Sequence, residues 1–218
     1  ILMACSHIMA QDAGRINVLN TDLFELEKKG DEQLRKLTGN AHLEQDSAHI
    51  YCDSAHLYQE RNYVEAFSNV KVYGKNRVTL TADRITYDGK TRIVELYDHI
   101  TLNQDSAWLT TNRLTYTRND GVGRYVNGGR LRNPKDTLTS ITGTYNTRTK
   151  RALFEREVQQ WSRTYHLKTD RLEYDVAQEV AHFSAPTHID MKDRKQLYTE
   201  RGYAKTKSNE VFVYQNPY

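Results

Sequence analysis

Proline, cysteine and long apolar runs are all scarce in this chain. It has 3 Pro and 11 Gly in 218 residues, which excludes collagen-like sequence and low-complexity disorder. Its two cysteines, Cys5 and Cys52, make no Cys-x-x-Cys pair and are too few for a disulfide scaffold. Apolar residues are 38% of the chain and never run long enough to span a membrane as a helix. Charge is nearly balanced, with Lys and Arg at 31, Asp and Glu at 28, and a net charge of +3. So small and diffuse an excess gives no argument for a nucleic-acid partner. The length suits one domain, or two small ones, with a substantial buried core.

What is plentiful is tyrosine, 15 residues of it, beside many Thr and Val. These types fit a pleated, half-buried surface. The tyrosines are also ordered. Tyr58, Tyr87, Tyr116, Tyr145, Tyr174 and Tyr203 stand 29 residues apart. Leu80, Leu109, Leu138 and Leu167 share that period, as do Phe67, Leu96, Tyr125, Phe154, Phe183 and Phe212. A polar column follows it too, at Asn40, Asn69, Asp98 and Asn127, and a basic one at Arg84, Arg113 and Arg171 with Thr142 in the vacant slot. Several columns at one period mark a repeat architecture.

Each unit has two halves. The first, Leu80 to Tyr87, is echoed by Leu109 to Tyr116 and Leu167 to Tyr174, and its alternation of apolar and polar residues is that of a strand. The step from Ala82 to Ile85 breaks the alternation and predicts a bulge at Asp83-Arg84. A turn such as Asp88-Gly89-Lys90 follows. The second half carries the Asn/Asp column at its middle, where the chain turns a corner; these residues tolerate the left-handed conformation that corners need. The expectation is an all-β jellyroll or solenoid of stacked antiparallel strands. Each unit is two bent strands of about 29 residues in all, and the array is open at both ends. Residues Asn20 to Leu37 allow a helix through Leu23, Leu26, Leu34 and Leu37. Gly30-Asp31 and the phase of the repeat favour a degenerate first hairpin.

Residues 1–14 are set apart as a leader, and 15–218 as a single domain. Three readings of the leader stand together: a signal cut after Ala10, a lipobox-like Leu2-Met3-Ala4-Cys5 with Cys5 acylated, or a remnant without function. The first two imply an extracytoplasmic protein.

Leu37-Thr38-Gly39-Asn40-Ala41-His42-Leu43, Ser68-Asn69-Val70-Lys71-Val72, Leu80 to Tyr87 and Ala185-Pro186-Thr187-His188-Ile189 resemble the OstA family. This is the LptA-like periplasmic fold of lipopolysaccharide transport, and the chain is most similar in wording to its Bacteroidetes members. The resemblance covers roughly residues 16 to 214. It departs from the family pattern at Ala41, at His99 where an apolar residue belongs, and at Arg156 where Asn should recur. It implies a jellyroll that holds the acyl chains of lipopolysaccharide inside, joins like jellyrolls end to end between the two membranes, and has neither catalytic residues nor a cofactor. On that basis Phe67, Leu80, Leu96, Leu109, Tyr125, Leu138, Phe154, Leu167, Phe183 and Phe212 are the expected interior, lipid-facing residues. Ile16, Val18, Val211, Phe212 and Val213 are the expected strand edges for self-association or for a similar jellyroll.

Competing chemistry is thin. His42, His49 and His56 are seven apart, alternate faces along a strand and converge only if a turn intervenes, so no metal site is expected. No nucleophile elbow or phosphate loop is present. Pairs such as Asp22 and Glu25 or Glu155 and Glu157 read as solvated strand face. Asp83, Asn112 and Asp170 form a column that serves either as bulge caps or as the acids of a polysaccharide-active β-helix, which would carry three strands per coil. A packed adaptor solenoid is the other alternative to a lipid carrier.

Overall fold

The computed structural model describes residues 16–30, 32–45, 48–74 and 77–215. The leader, with Cys5 and Arg15, lies outside them. Every strand pairing among the described residues is antiparallel. That rules out the three-strand parallel coil of a β-helix.

The chain runs up and down as a succession of long legs, each bent near its middle. β1 (Asn17–Asn20) and β2 (Leu23–Lys29) are two pieces of the first leg, and both pair with β3 (Glu32–Gln45). The hairpin expected over Asn20 to Leu37 is therefore present. Unbroken bent legs follow as β4 (Ala48–Tyr58), β5 (Tyr63–Tyr73), β6 (Val78–Asp88), β7 (Ile93–Gln104) and β8 (Ala107–Thr117). The next two legs break at the corner, into β9 (Val122–Tyr125) with β10 (Gly129–Arg132) and β11 (Thr137–Ser140) with β12 (Thr142–Asn146). β13 (Arg151–Trp161) and β14 (Tyr165–Asp175) are whole again. The array closes with β15 (Val180–Phe183) and β16 (Thr187–Met191), β17 (Gln196–Thr199) and β18 (Arg201–Lys205), and a last half-leg, β19 (Glu210–Gln215). The bends fold this one ladder into two facing layers around a single core. The upper layer holds β1, β10, β11, β16 and β17, and the lower layer holds β2, β9, β12, β15, β18 and β19.

The corners sit where the Asn/Asp column predicts them. Asn40 (φ 46°), Ser68 and Asn69 (58° and 52°), Asp98 and His99 (59° and 45°), Asn127 (65°), and Arg156 and Glu157 (65° and 52°) are all left-handed. Gly39 and Gly128 supply the glycine members at φ 79° and 97°. His99 and Arg156 thus keep the corner despite their departure from the family pattern. Such a conformation costs of order 1 kcal/mol per non-glycine residue. An acidic residue on the neighbouring leg offsets it. Asn40 Nδ2 donates to Asp22 Oδ2 at 2.8 Å and Asn69 Nδ2 to Asp53 Oδ2 at 2.8 Å. His99 Nδ1 meets Asp83 Oδ2 at 2.7 Å, and the Glu157 N–H donates to Asp170 Oδ1 at 3.2 Å. The Asp83 and Asp170 column is therefore a set of corner caps. The strand register also slips at each corner, but the extra residue is on the corner leg: Ser68 and Asn69 together face Asp83, so the bulge expected at Asp83-Arg84 is corrected to the legs on either side of it.

Successive corner pairs are 29 residues apart except once: the Ser68-Asn69 pair and the Asp98-His99 pair are 30 apart. The extra residue corrects the aromatic column. Tyr97, not Leu96, is the counterpart of Phe67, and Arg84 stands over both of their rings. Phe67 is on the outer face, and Ala66 holds the interior place. The tyrosine column slips at its ends in the same way. Leu57 and Ala204 are buried where Tyr58 and Tyr203 were expected. The interior tyrosines alternate with small or β-branched partners along the register, as Val64, Tyr87, Val94, Tyr116, Gly123, Tyr145, Ala152, Tyr174 and Ala181. Strands ~4.8 Å apart leave no room for two large rings side by side.

The arginine column faces outward from the lower layer. Arg84 pairs with Glu65 at 3.2 Å, Arg113 with Glu95 at 3.3 Å, and Arg171 with Glu155 at 2.7 Å. These exposed pairs each contribute at most about 1 kcal/mol.

Gly143 shows how tight the middle of the ladder is. A Cβ there would fall 2.4 Å from the Tyr125 ring. We expect Gly143→Ala to destabilise the protein by about 1–3 kcal/mol in urea unfolding. Tyr125→Leu should relieve much of that loss in the double variant, and additive losses would show that ring contact is not the cause.

The cleft between the layers

The corners close the two layers along one seam. Along the other, the turns of the upper layer face the turns of the lower layer across a slit. Two registered rows line the interior. The upper row runs Leu43, Ile50, Val72, Leu80, Leu102, Leu109, Leu131, Leu138, Gln160, Leu167, Ile189 and Leu197. The lower row runs Leu37, Ala55, Ala66, Ile85, Leu96, Leu114, Tyr125, Gly143, Phe154, Leu172, Phe183 and Gly202. Apolar side chains meet across the whole length, so the interior is one continuous greasy layer.

It is not equally tight throughout. Between β4 and β8 the layers enclose a cavity of about 70 Å³, lined by Ile50, Val72 and Leu80 above and by Ala66, Ile85 and Leu96 below. A smaller one of about 20 Å³ lies among Leu102, Leu109, Leu131, Tyr125 and Phe154. Beyond these, Tyr165, Leu167, Leu172 and Phe183 fill the interior. The slit is also bolted there. Ser162 Oγ, in the upper turn after β13, donates to Asn209 Oδ1 of the lower turn before β19 at 2.9 Å. Thr164 Oγ1 donates to the Asn209 carbonyl at 3.2 Å.

Buried polar groups have local duties. Ser140 Oγ donates to the Thr142 carbonyl at 2.8 Å and Thr169 Oγ1 to the Arg171 carbonyl at 3.5 Å, satisfying backbone that the corner leaves unpaired. Tyr125 Oη meets Ser140 Oγ at 2.5 Å, and burial pushes its phenol up to about 12. Burial also raises the Tyr165 phenol and the Asp136 carboxyl beside the bolted turns. Burial pushes the Cys52 thiol up to about 11, so it packs as a small hydrophobe.

Of the residues singled out from sequence, Leu80 and Leu96 line the larger cavity and Leu109, Tyr125 and Phe154 the smaller. Leu138, Leu167 and Phe183 are buried core. Phe67 and Phe212 are corrected to the outer face. Phe212 is 37% exposed, stacks on Tyr203 at 4.7 Å and leaves the interior to Val211 and Val213. Ile50, Val72, Ile85, Leu102 and Leu114 were not singled out. A 29-residue period samples one leg in two, and these lie on the alternate legs or start their own columns. Ile16 is buried at 5% exposure just before the terminal strand β1, and Val18 packs on the core from that strand. The exposed apolar side chains at that end are Leu19, Leu23, Phe24 and Leu26. His42 and His49 do converge, because β3 and β4 pair antiparallel with Glu44 opposite His49; their Nε2 and Nδ1 atoms are 3.1 Å apart. His56 instead packs against Phe67. No cluster of three metal-ligating groups occurs among the described residues.

A two-layered ladder of bent antiparallel legs around an apolar cleft is a β-jellyroll. The chain belongs to the OstA-like protein family, whose model matches residues 13–170. No curated protein sequence matches it. Among solved structures it is similar to LptH of Pseudomonas aeruginosa, described as the LptA-homologous periplasmic component of the conserved lipopolysaccharide transport device. The identity is 17% and the TM-score 0.41, over 45% of this chain and 75% of that one.

Ala66 borders the larger cavity and is 2% exposed. Ala66→Val should keep or raise the melting temperature, since filling a cavity contributes about 0.5–2 kcal/mol. It should also lower uptake of a fluorescent acyl probe. A lower melting temperature would mean that this part of the interior is already full.

Proposed function

We propose that this protein is a non-enzymatic carrier of a lipopolysaccharide-type glycolipid. It holds the acyl chains between its layers in the periplasm and joins similar jellyrolls end to end toward the outer membrane. The observation that carries this reading is the continuous apolar interior, hinged along one seam, slit along the other and loosest between β4 and β8. Membership of the OstA-like family supports it. The physical need is plain: at ~0.8 kcal/mol per buried CH₂, a twelve-carbon chain costs roughly 10 kcal/mol to expose to water. An apolar cleft covers it at every step. A cavity of about 70 Å³ takes only a few water-sized groups, so loading requires the layers to part along the slit.

That small volume also favours a second reading, an adaptor whose interior is packed and whose ends recruit partners. A photoreactive residue separates the two. Placed at Leu96, inside the cleft, it should yield lipid adducts in cells; placed at Tyr97, one residue on and outside, it should not. Equal labelling at both, or none at Leu96, would leave the adaptor.

The ends support assembly. On β2, Phe24 sits in register with Leu37 and so extends the lower interior row, yet it is 44% exposed; Leu26 on the same strand is 65% exposed. On β19, Val211 and Val213 hold interior places at the opposite end. Among the described residues β2 pairs only with β3, and β19 only with β18. Each offers free N–H and C=O groups for strand addition. Such contacts are head-to-tail and do not close. Light scattering should therefore show a ladder of species rising with concentration, and Leu26→Lys should reduce it while leaving the monomer folded. A wild type that stays monomeric and binds no related jellyroll would remove the bridge from the proposal.

A further inference from the structure

The outer faces of the two layers differ in chemistry. On the lower layer, several aromatic rings are covered by cations. Arg61 stands 4.4 Å from the Tyr58 ring, and Arg84 and Arg113 stand 4.8 and 4.7 Å from Tyr97. On the upper layer, Tyr51, Tyr73, Trp108 and Trp161 are between 37% and 47% exposed, and among the described residues no cation stands over any of them. Three of these four lie on one registered row: Tyr73, Thr79, Asn103, Trp108, Arg132, Thr137, Trp161. The rings recur at every third leg, roughly 14 Å apart at the usual strand spacing. Hydroxyl and amide side chains and one guanidinium fill the places between. The row is also the outer one nearest the slit, since Tyr73 and Trp161 end their strands and Trp108 is second in its own, beside the turns that form the rim.

We propose that this row binds the sugar portion of the glycolipid whose acyl chains occupy the cleft, an inference that rests on the carrier reading above. The C–H face of a pyranose is apolar and slightly positive, and it stacks on the negative face of an exposed ring. Its hydroxyls take Thr, Asn and Arg partners. Solvent-facing aromatics free of cations, with Trp161 stacked on His166 at 4.8 Å and Tyr51 on His42 at 4.1 Å by one face only, match that chemistry in a polar, sparsely charged surface. A protein partner would call for a larger contiguous apolar patch. Acyl chains entering through the slit leave their sugars at the rim, where this row begins.

Both tryptophans of the chain stand on the row, so their emission reports on it directly. The probe is fully deacylated lipopolysaccharide saccharide, titrated into the whole protein by fluorescence and calorimetry. We expect a saturable change in emission. Trp161→Thr should bind about tenfold more weakly, the loss of one stacked ring, while Trp161→Tyr retains binding. Thr keeps the strand propensity of this exposed site, so the variant should stay folded. A naphthylamine acyl probe is run in parallel to read the cleft. No saccharide binding alongside normal acyl uptake would overturn the sugar row and leave the carrier reading intact. Loss of acyl uptake would instead count against the carrier. Binding of soluble cell-wall glycan fragments but not of the deacylated saccharide would overturn the assignment to cargo.

Discussion

The corner is the constraint on which the remaining architecture depends. Two left-handed residues in mid-strand fold every second leg, and at four of these corners a carboxylate of the neighbouring leg holds them. Without the bend there would be one long sheet with two wet faces and nothing to cover its Leu and Tyr rows. With it, each leg supplies both walls of the interior, and every added leg lengthens the core without changing its cross-section. The identity of the corner residue matters less than its cap. Asp98-His99 and Arg156-Glu157 depart from the usual Asn, yet they turn in the same way because Asp83 and Asp170 reach across to them.

Packing then grades the interior along its length. Where tyrosines alternate with glycine or alanine, the interior fits closely, and on the adjoining strand the Tyr125 ring leaves no room for a Cβ at Gly143. Where Val, Ile and Leu face alanines, between β4 and β8, space is left over. The difference comes from side-chain volume on one constant backbone plan, so the same fold serves as tight core at one end and yielding cleft at the other.

Much of this was legible in the sequence. The repeat, the bent strands, the hairpin at Asn20 to Leu37 and the corner column all follow from residue type and spacing, while the bulge read at Asp83-Arg84 belongs to the legs that flank it. The errors have one main source. A strict period cannot see the 30-residue step between β5 and β7, and in a strand a slip of one residue moves a side chain to the opposite face. Phe67 was misplaced for that reason, and Tyr58 with it. Phe212 failed similarly: the interior place passes from Phe183 through Gly202 to Val213, 30 residues on. The meeting of His42 with His49 depended on an antiparallel pairing of β3 with β4 that the spacing of seven left open. The outer aromatic row was invisible because its members sit on every third leg, while the repeat counts legs in twos.

The bond from Ser162 and Thr164 to Asn209 has a mechanical consequence. Two leaves hinged along one edge and clasped at one end of the other cannot separate evenly. Any force that parts them meets hydrogen bonds and close-packed rings at the clasp, and only loosely fitted aliphatic contacts far from it. Resistance to parting is therefore concentrated at the clasp, and the loosest contacts lie between β4 and β8. The jellyroll opens as a wedge, with its wide mouth at the end where the chain begins its ladder.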